Sequence, residues 1–424
     1  MNIEQLYSTY LKASGVNTDT RSVSSGEVFF ALKGPSFNGN KFAAQALEAG
    51  AIAVVVDEEV ELPEGSTSFK VKDVLTTLQE LAKHHRNQLS GKVIGLTGSN
   101  GKTTAKELFK SVLSQKYDVK ATVGNLNNHI GVPLTILRTP LDTEYLIVEM
   151  GANHQGEIAL LSSISQPDIG YITNFGKAHL EGFGGIEGVI KGKSELYKFL
   201  RSNKRVALVN HNDTKQMEKS EGIERITYGS IDSTYPMSFT DINFPASVVL
   251  EEVVIQSQLT GSFHAVNIGA AVALGLHLGL SSEEIVTGVQ AYKPTNNRSE
   301  WRKTDSNRIM LDAYNANPSS MSASIISFIE EAKSPKVLIL GDMFELGEDA
   351  EKEHQAIVDQ CAKESVRVIL VGEHFAQSHT PESFEVHKTT TGCLRALQDA
   401  PIKHSTILLK GSRGMQLESL LAVL

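Results

Sequence analysis

The chain has little cysteine, little tryptophan and no long apolar run. Its 424 residues include two cysteines and one tryptophan. Cys361 and Cys393 form no CxxC pair and are too few for a disulfide framework, which argues against a zinc site and against a disulfide-stapled secreted domain. The most apolar segments are short against the roughly 18 residues that a membrane helix needs. These absences favour a protein of the reducing cytoplasm that does not span a membrane.

A basic surface is also missing. The 40 lysines and arginines against 49 aspartates and glutamates give a formal net charge of −9, and the basic residues form no run. This composition argues against nucleic acid as a partner. The N-terminal segment has apolar residues at helical spacing and no basic leader pattern, so we expect an amphipathic helix there and not a signal peptide.

Length and pattern together predict an α/β protein of three domains. About 150 residues per domain gives roughly three for 424 residues. Residues 1–84 show short strand-like runs around a helical stretch, typical of a small α/β domain. In residues 85–297 strands and helices alternate, which predicts a parallel sheet, and two-fold patterns between 227 and 258 predict an antiparallel extension. Residues 298–424 alternate again, which predicts a Rossmann-like domain.

One segment of the central domain has the form of a phosphate-binding loop. The strand VIGL runs into Thr97–Thr104, TGSNGKTT, and a helical pattern follows. Backbone N–H groups at such a helix start attract an anion, and Gly98 and Gly101 permit close approach. Lys102 can reach the β- and γ-phosphates of ATP, and Thr103 can bind Mg²⁺. The residues expected to hold the nucleotide here are Gly98, Ser99, Asn100, Gly101, Lys102, Thr103 and Thr104.

Two observations bear on the function of this segment. Leu96 occupies the first glycine position of the strict G-x-x-x-x-G-K-[ST] pattern, so a chance glycine-rich turn is one alternative. A GTPase would need N-K-x-D after a later strand, whereas Asn174–Lys177 reads N-F-G-K, so adenine is the favoured base. A P-loop switch or transport ATPase, and a nucleotide-binding module without catalysis, stay open at this point.

Further segments accompany the loop along the chain. They are Asp19–Ser22, Gly124–Asn128, Glu149–Asn153, Tyr314–Pro318, Leu340–Gly347 and Lys410–Arg413. Together with TGSNGKTT, which has the family's form without a leading glycine, they resemble the Mur ligase superfamily. The resemblance implies an ATP-dependent ligase that joins D-alanyl-D-alanine to UDP-N-acetylmuramoyl-tripeptide through an acyl phosphate. Within the superfamily, the ligase that adds the third residue and folylpolyglutamate synthase are the alternatives.

The resemblance implies a site for two Mg²⁺ ions. Glu149 ends a strand at the sheet edge where ligands bind, and it would hold one ion with Thr103. His179 would bind the second ion, and Lys193, carbamylated and therefore anionic, would act beside it. The residues alone also allow a solvated acid for Glu149, a hydrogen-bonded loop residue for His179 and an exposed helical lysine for Lys193.

The resemblance also assigns the outer part of the nucleotide site. Asn267 would contact adenine, Arg298 would reach the γ-phosphate from the hinge, and Asp312 would bind ribose. The residues alone equally allow a helix-start asparagine at 267 and surface ion pairs at 298 and 312. The side chains expected to carry the catalysis are Lys102, Lys193, His179 and Arg298.

Two groups of residues would hold the two substrates. Arg21 and Ser22 resemble the family segment that binds the UDP-sugar end. The substrate-binding residues expected nearer the reacting groups are Asn127, Asn128, Asn315, Asn317 and Asp342. The resemblance implies that the last three face the incoming dipeptide from the third domain, and we expect a monomer.

Overall fold

The computed structural model describes residues 2–240, 245–294 and 297–424. Within these ranges the chain folds into three α/β domains, which confirms the predicted fold class. The antiparallel extension predicted between residues 227 and 258 is only partly covered, because residues 241–244 lie outside the described part of the chain.

The N-terminal domain is a small parallel sheet with helices packed on it. Its strands are β1 (Gly15–Asn17), β2 (Glu27–Phe30), β3 (Lys33–Gly34), β4 (Phe37–Asn38), β5 (Ala53–Val56) and β6 (Ser68–Lys70). Its helices are α1 (Ile3–Tyr10), α2 (Ala43–Glu48) and α3 (Val74–Arg86), with 3₁₀ turns at Thr20–Ser22 and Gly39–Phe42. The sheet order is β1-β2-β5-β6, and β3 and β4 form a separate hairpin.

Helix α3 ties this domain to the central one. It continues past the boundary predicted after residue 84, and Arg86 in its last turn forms an ion pair with Asp168 at 2.7 Å. The Arg86 guanidinium also donates to the backbone carbonyls of Ser165 and Gln166, each at 3.0 Å. The two domains are therefore joined by a buried polar contact as well as by the chain.

The central domain contains the main parallel sheet. Its strands are β7 (Lys92–Thr97), β8 (Val119–Ala121), β9 (Tyr145–Glu149), β10 (Ile169–Ile172), β11 (Val206–Asn210), β12 (Glu224–Gly229), β13 (Tyr235–Pro236), β14 (Ser238–Phe239), β15 (Ser247–Leu250) and β16 (Val253–Gln256). Its helices are α4 (Lys102–Leu113), α5 (Gly131–Leu137), α6 (Glu157–Ser165), α7 (Leu180–Phe183), α8 (Ile186–Lys193), α9 (Glu195–Ser202), α10 (Thr214–Lys219), α11 (Ala265–His277) and α12 (Ser282–Ala291), with a 3₁₀ turn at Ser262–His264.

The strand order of this sheet creates the site. The order is β13-β12-β11-β10-β7-β9-β8 with parallel pairing, and β14-β15-β16 form the predicted antiparallel extension. After β7 the chain moves to one side to form β8 and β9, and then crosses to the other side for β10. Ligands of open parallel sheets bind beyond the carboxyl ends of the strands at such a reversal. The ends of β7, β9 and β10 therefore mark the expected site.

The third domain repeats this design. Its strands are β17 (Glu300–Lys303), β18 (Arg308–Asp312), β19 (Lys336–Gly341), β20 (Arg367–Val371), β21 (Glu385–His387) and β22 (Thr406–Lys410). Its helices are α13 (Pro318–Glu331), α14 (Ala350–Cys361), α15 (Glu373–Gln377) and α16 (Thr390–Asp399), with 3₁₀ turns at Gly347–Asp349, Arg413–Met415 and Leu417–Ala422. The sheet order is β17-β18-β22-β19-β20-β21, so the last strand in sequence lies centrally.

Two predicted helices differ in the structure, and one helix was not predicted. The alternating pattern of the central domain predicts a helix near residues 186–200, which the structure divides at Ser194 into α8 and α9. The pattern of the third domain predicts a final helix after β22, where the structure has 3₁₀ turns, because Gln416 has a left-handed backbone with φ of 51° that interrupts helical hydrogen bonding. Helix α5 was not expected, although its Pro133 lies in the first turn, where no N–H is needed.

Candidate functional site

A cavity of about 810 Å³ lies at the predicted edge, with walls from the central and third domains. The predicted residues that line it are Ser99, Asn100, Gly101, Lys102, Thr103, Thr104, Asn127, Asn128, Glu149, His179, Asn267, Arg298, Asp312, Asn315 and Asn317. The predicted residues found outside its walls are Arg21, Ser22, Gly98, Lys193 and Asp342. The fold therefore brings together side chains that are more than two hundred positions apart in sequence, from Ser99 to Asn317.

The phosphate loop follows β7 directly and is shaped by its glycines. Gly98 has φ of 143° and Gly101 has φ of 79°, conformations that side chains disfavour. A Cβ atom on Gly98 would lie 1.9 Å from Oγ1 of Thr173. The backbone of Asn100 is held by Asn174, whose Oδ1 accepts from its N–H at 3.2 Å and whose Nδ2 donates to its carbonyl at 3.0 Å.

Helix α4 begins at Lys102 with no side-chain cap, so its first N–H groups are available to an anion. The Lys102 ammonium donates to the carbonyl of Gly98 at 2.7 Å and to that of Ser99 at 3.3 Å. Burial lowers the pKa of Lys102 to about 8, with Glu149 acting against the shift and Arg298 adding to it. A bound triphosphate would favour the charged form, because an anion raises the pKa of a nearby amine.

The Glu149 carboxylate provides a place for a cation. Its Oε1 accepts from Nδ2 of Asn127 at 2.9 Å and from Oγ1 of Thr103 at 3.3 Å. Its Oε2 is buried and has no hydrogen-bond partner among the residues that the structure describes. An unpaired buried carboxylate oxygen is costly, and Mg²⁺ prefers oxygen ligands, so Glu149 and Thr103 fit this ion. Glu149 is 2% exposed, so the solvated-acid alternative is wrong.

His179 precedes α7 and lines the cavity. Its Nδ1 is hydrogen-bonded to the carboxylate of Glu345, a residue of the third domain. Within the described residues, no group of three or more histidine, cysteine, aspartate or glutamate side chains is clustered as a metal site. Any ion bound here would therefore draw on hydroxyl and phosphate oxygens as well as on Glu149 and His179.

Lys193 lies behind the cavity wall and is fully buried, so the exposed-lysine alternative is wrong. Its Nζ donates to the carbonyl of Ala152 at 3.1 Å and lies 4.9 Å from the ring centre of Phe183. Burial, followed by the charge of Lys102, holds the pKa of Lys193 well below its ordinary value. Its amine is therefore readily obtained in the neutral, nucleophilic form.

The residues predicted for the nucleotide's outer part come from two domains. Asn267 is buried in the first turn of α11, where its Oδ1 accepts from the Tyr171 hydroxyl at 3.4 Å. The Arg298 guanidinium lies over the ring of Tyr314, 3.7 Å from its centre. These contacts hold both side chains in the cavity wall without using all of their polar atoms.

Asp312 takes part in a buried ion pair and not in a surface one. Its Oδ2 lies 2.5 Å from Nζ of Lys410, whose side chain is 2% exposed. Burial alone would raise the pKa of Asp312, but Lys410 and the hydroxyl of Ser324 keep it below the ordinary value. Lys410 thus neutralises the acid at the cavity wall, a pairing that the sequence did not indicate.

Asp342 is not brought to the cavity. Its two carboxylate oxygens accept from the backbone N–H groups of His374 and Phe375, each at 3.0 Å, at the start of α15. The structure thus gives Asp342 a helix-capping role in the third domain.

Arg21 lies in the N-terminal domain, where its exposed guanidinium pairs with Asp19 at 2.6 Å.

The third domain touches the phosphate loop directly. Nδ2 of Asn317 donates to Oδ1 of Asn100 at 2.7 Å, and Oδ1 of Asn317 caps α13 by accepting from the N–H of Ser320 at 3.0 Å. Lys177 pairs with Glu353 at 2.5 Å across the same interface. The sequence does not indicate the Asn100, Lys177 and Glu353 contacts, because each joins segments of different domains.

The cavity also contains a histidine that sequence reasoning missed. His264 is 6% exposed, and within the described part of the chain both of its ring nitrogens lack a hydrogen-bond partner. Burial lowers its pKa to about 4, so the ring is neutral at pH 7 and can donate one hydrogen bond and accept another. Its position three residues before Asn267 was the available signal.

The fold and the phosphate site define a class of ATP-using ligases, and the chain belongs to the Mur ligase family. Family models match residues 12–86 ("Mur ligase family, catalytic domain"), 96–275 ("Mur ligase middle domain") and 297–413 ("Mur ligase, glutamate ligase domain"). Among the described residues, no helix is long and apolar enough to cross a membrane.

Individual relatives resemble the chain over nearly its whole length. The UDP-N-acetylmuramoyl-tripeptide–D-alanyl-D-alanine ligase of Bacillus subtilis is 37% identical, over 96% of this chain and 92% of the relative. A MurF structure from Acinetobacter baumannii is similar with a TM-score of 0.87 and 29% identity, covering 99% of this chain and 98% of that one. MurF from Thermotoga maritima in complex with ADP gives a TM-score of 0.86 at 26% identity, covering 98% and 97%.

Proposed function

We propose that this chain is an ATP-dependent ligase that joins D-alanyl-D-alanine to UDP-N-acetylmuramoyl-tripeptide and releases ADP and phosphate. The observation that carries this proposal is the 37% identity, over nearly the full length of both chains, to a ligase of that name. The phosphate loop and the cavity between two domains supply the machinery that such a reaction needs. The reaction would complete the cytoplasmic peptidoglycan precursor.

The chemistry proceeds through two displacements. A carboxylate oxygen of the tripeptide attacks the γ-phosphorus of ATP, and the bond to ADP breaks. The amine of the dipeptide then attacks the acyl carbon, phosphate leaves and the amine nitrogen loses a proton. The protein forms no covalent bond in these steps, so Lys102 and Arg298 would act by positioning the phosphates and neutralising their charge.

The residues that would hold Mg²⁺ are Thr103 and Glu149 for one ion and His179 for a second. When bound, the ions would offset phosphate charge during transfer. Lys193 would be carbamylated and would act as an anion beside the second ion, where an ammonium would be repelled. Its burial and lowered pKa support this role.

The remaining sites divide among the domains. Residues 1–84 would bind the UDP-sugar end through Arg21 and Ser22, residues 85–297 would bind ATP, and residues 298–424 would bind the dipeptide. Asn267 would contact adenine and Asp312 ribose. The residues proposed nearer the reacting groups are Asn127, Asn128, Asn315 and Asn317. Asp342 would support the dipeptide site indirectly, by capping α15.

A substrate-omission assay tests the proposal. Phosphate release is measured with ATP and Mg²⁺ while the tripeptide nucleotide or the dipeptide is left out, and the product mass is determined. We expect release to need both substrates, and the product to carry the dipeptide. Coupling of a single amino acid would indicate another ligase of the family, and hydrolysis without either substrate would indicate a switch ATPase. Tripeptides ending in diaminopimelate and in lysine are compared in parallel.

A further inference from the structure

The ring of His179 is held by the third domain. Its Nδ1 is hydrogen-bonded to the carboxylate of Glu345, which lies in the loop after β19. A backbone contact lies beside it, because the N–H of Glu181 donates to the carbonyl of Glu345 at 3.2 Å. An ionised carboxylate can only accept, so the proton of this pair belongs on Nδ1. In the neutral ring, Nε2 then keeps its lone pair.

The loop that carries Glu345 is fixed on both sides. The N–H of Phe344 donates to Oγ of Ser412 at 2.9 Å, and the side chain of Leu346 is buried. His179 and Glu345 both have left-handed backbones, with φ of 52° and 60°. Residues other than glycine adopt this conformation infrequently, and such strain concentrates at functional sites. The pair is therefore presented by constrained backbone on each domain.

We propose that Glu345 is a positioning residue, which fixes the tautomer and orientation of His179 so that Nε2 is free to bind Mg²⁺. The inference rests on the proposed function, in which His179 holds the second ion. Metal-binding histidines commonly donate their other ring N–H to a carboxylate, and loss of that partner weakens metal binding. Here the histidine and the carboxylate come from different domains. Docking of the third domain therefore completes the metal site.

A second ion pair across the same interface provides a matched control. Lys177 and Glu353 lie 2.5 Å apart and also join the central and third domains, but neither touches His179 in the described structure. If Glu345 acted only by holding the domains together, loss of either pair would have the same effect. If Glu345 positions the ring, only its own loss should weaken the metal site.

The first measurement is the affinity for Mn²⁺. It is determined by electron paramagnetic resonance in the presence of a nonhydrolysable ATP analogue and the UDP-tripeptide. We expect Glu345→Ala to weaken the second Mn²⁺ site about ten- to a hundredfold. Glu345→Gln should stay within about threefold of the wild type, because its amide oxygen can still accept from Nδ1–H. Glu353→Gln should leave the affinity unchanged.

The second measurement is the ring tautomer, observed by two-bond ¹H–¹⁵N correlation and assigned with His179→Gln. The wild type and Glu345→Gln should carry the proton on Nδ1, and Glu345→Ala should lose that preference. Unchanged Mn²⁺ affinity in Glu345→Ala, or an equal loss in Glu353→Gln, would overturn the inference. A wild type that ligates but binds a single Mn²⁺ would also overturn it. A wild type that fails to ligate contradicts the proposed function itself.

Discussion

Lys193 shows how strongly burial changes the chemistry of one side chain. Its pKa is held well below the ordinary value, so the neutral amine can attack CO₂, form an N–C bond and release a proton. We expect site-resolved mass measurement under native conditions to find one added CO₂ at this residue. Lys193→Arg should lower kcat more than about a hundredfold, because a guanidinium keeps its charge and forms no carbamate.

The protein supplies an internal control for this measurement. Lys106 is also buried, but its Nζ donates to the carbonyl of Thr122 at 2.7 Å and lies 2.8 Å from the carboxylate of Glu107. An ammonium that is paired in this way has no lone pair with which to attack CO₂. Lys106 should therefore carry no added mass. Full activity of Lys193→Arg, or a lysine at 193 without added CO₂, would contradict the assignment.

Glu331 should make stability depend on pH near neutrality. It ends α13, and its Oε2 is buried without a hydrogen-bond partner among the described residues. Burial raises its pKa to about 7, with Arg308 acting against the shift. The fold therefore favours the protonated acid. The contribution of the protonated acid to the free energy of unfolding is complete at pH values below the ordinary carboxyl pKa. It falls as the pH rises and is lost above about pH 7.

Glu331→Gln removes this titration without changing the shape of the side chain. At pH 8 the variant should exceed the wild type in free energy of unfolding by about 1 kcal/mol, a figure reduced for partial solvent exposure. At about pH 4, below the ordinary carboxyl pKa, the difference should nearly vanish. Urea unfolding at the two pH values measures it, and a difference that is the same at both would show that the carboxyl does not titrate in this range.

Among the elements, the phosphate loop depends most on backbone conformation. Gly98→Ala places a Cβ 1.9 Å from Oγ1 of Thr173 at φ of 143°, so the loop must shift or the strand beside it must move. We expect a loss of about 1–3 kcal/mol in stability and at least tenfold weaker ATP binding, measured by calorimetry. Gly65→Ala is the control, because Gly65 also has positive φ, but an added Cβ atom would meet no atom of the described residues within 4 Å. Its ATP affinity should not change.

How far the sequence predicts each element depends on whether its signal is local. Strand and glycine patterns that occupy adjacent residues predict the phosphate loop, the ends of β7, β9 and β10 and the three-domain α/β fold. They do not predict the division at Ser194, because that division depends on contacts that the two neighbouring residues make with other segments. Lys193 turns to the carbonyl of Ala152, while Glu195 caps α6 through the N–H of Gly156.

The same distinction applies to the candidate site. Asn267 and Glu149 could be predicted as site residues because each belongs to a segment with its own sequence pattern. Both line the cavity. Asp342 also belongs to such a segment, yet its carboxylate caps α15, a helix that begins at Glu373. The carboxylate partner of His179 and the partner of Asp312 lie far away in sequence, so only the fold identifies them.

At the scale of the whole molecule, the interface between the central and third domains combines catalytic and structural contacts. Asn100 of the phosphate loop meets Asn317, His179 meets Glu345, and Lys177 meets Glu353. A cavity that takes ATP from one domain and an amine from another must exclude water from an acyl phosphate. The docking of these two domains should therefore control the reaction as much as any single residue does.

The pair formed by Lys177 and Glu353 allows this docking to be tested. The Lys177 side chain is 46% exposed and that of Glu353 is 7% exposed, so Lys177→Met leaves a buried carboxylate without its cation. Removing one partner of a buried pair costs more than removing both, because the remaining charge is unpaired. Lys177→Met should therefore disturb docking more than the double variant Lys177→Met/Glu353→Gln.

We expect Lys177→Met to raise KM for D-alanyl-D-alanine about fivefold or more, and the double variant to raise it less than about twofold, as for a partly exposed pair worth at most about 0.4 kcal/mol. KM for ATP should change less than KM for the dipeptide, because the phosphate loop belongs entirely to the central domain. Small-angle scattering should show a larger radius of gyration for Lys177→Met alone. If the two variants were equally impaired, the ion pair itself, and not the unpaired Glu353, would be what docking requires.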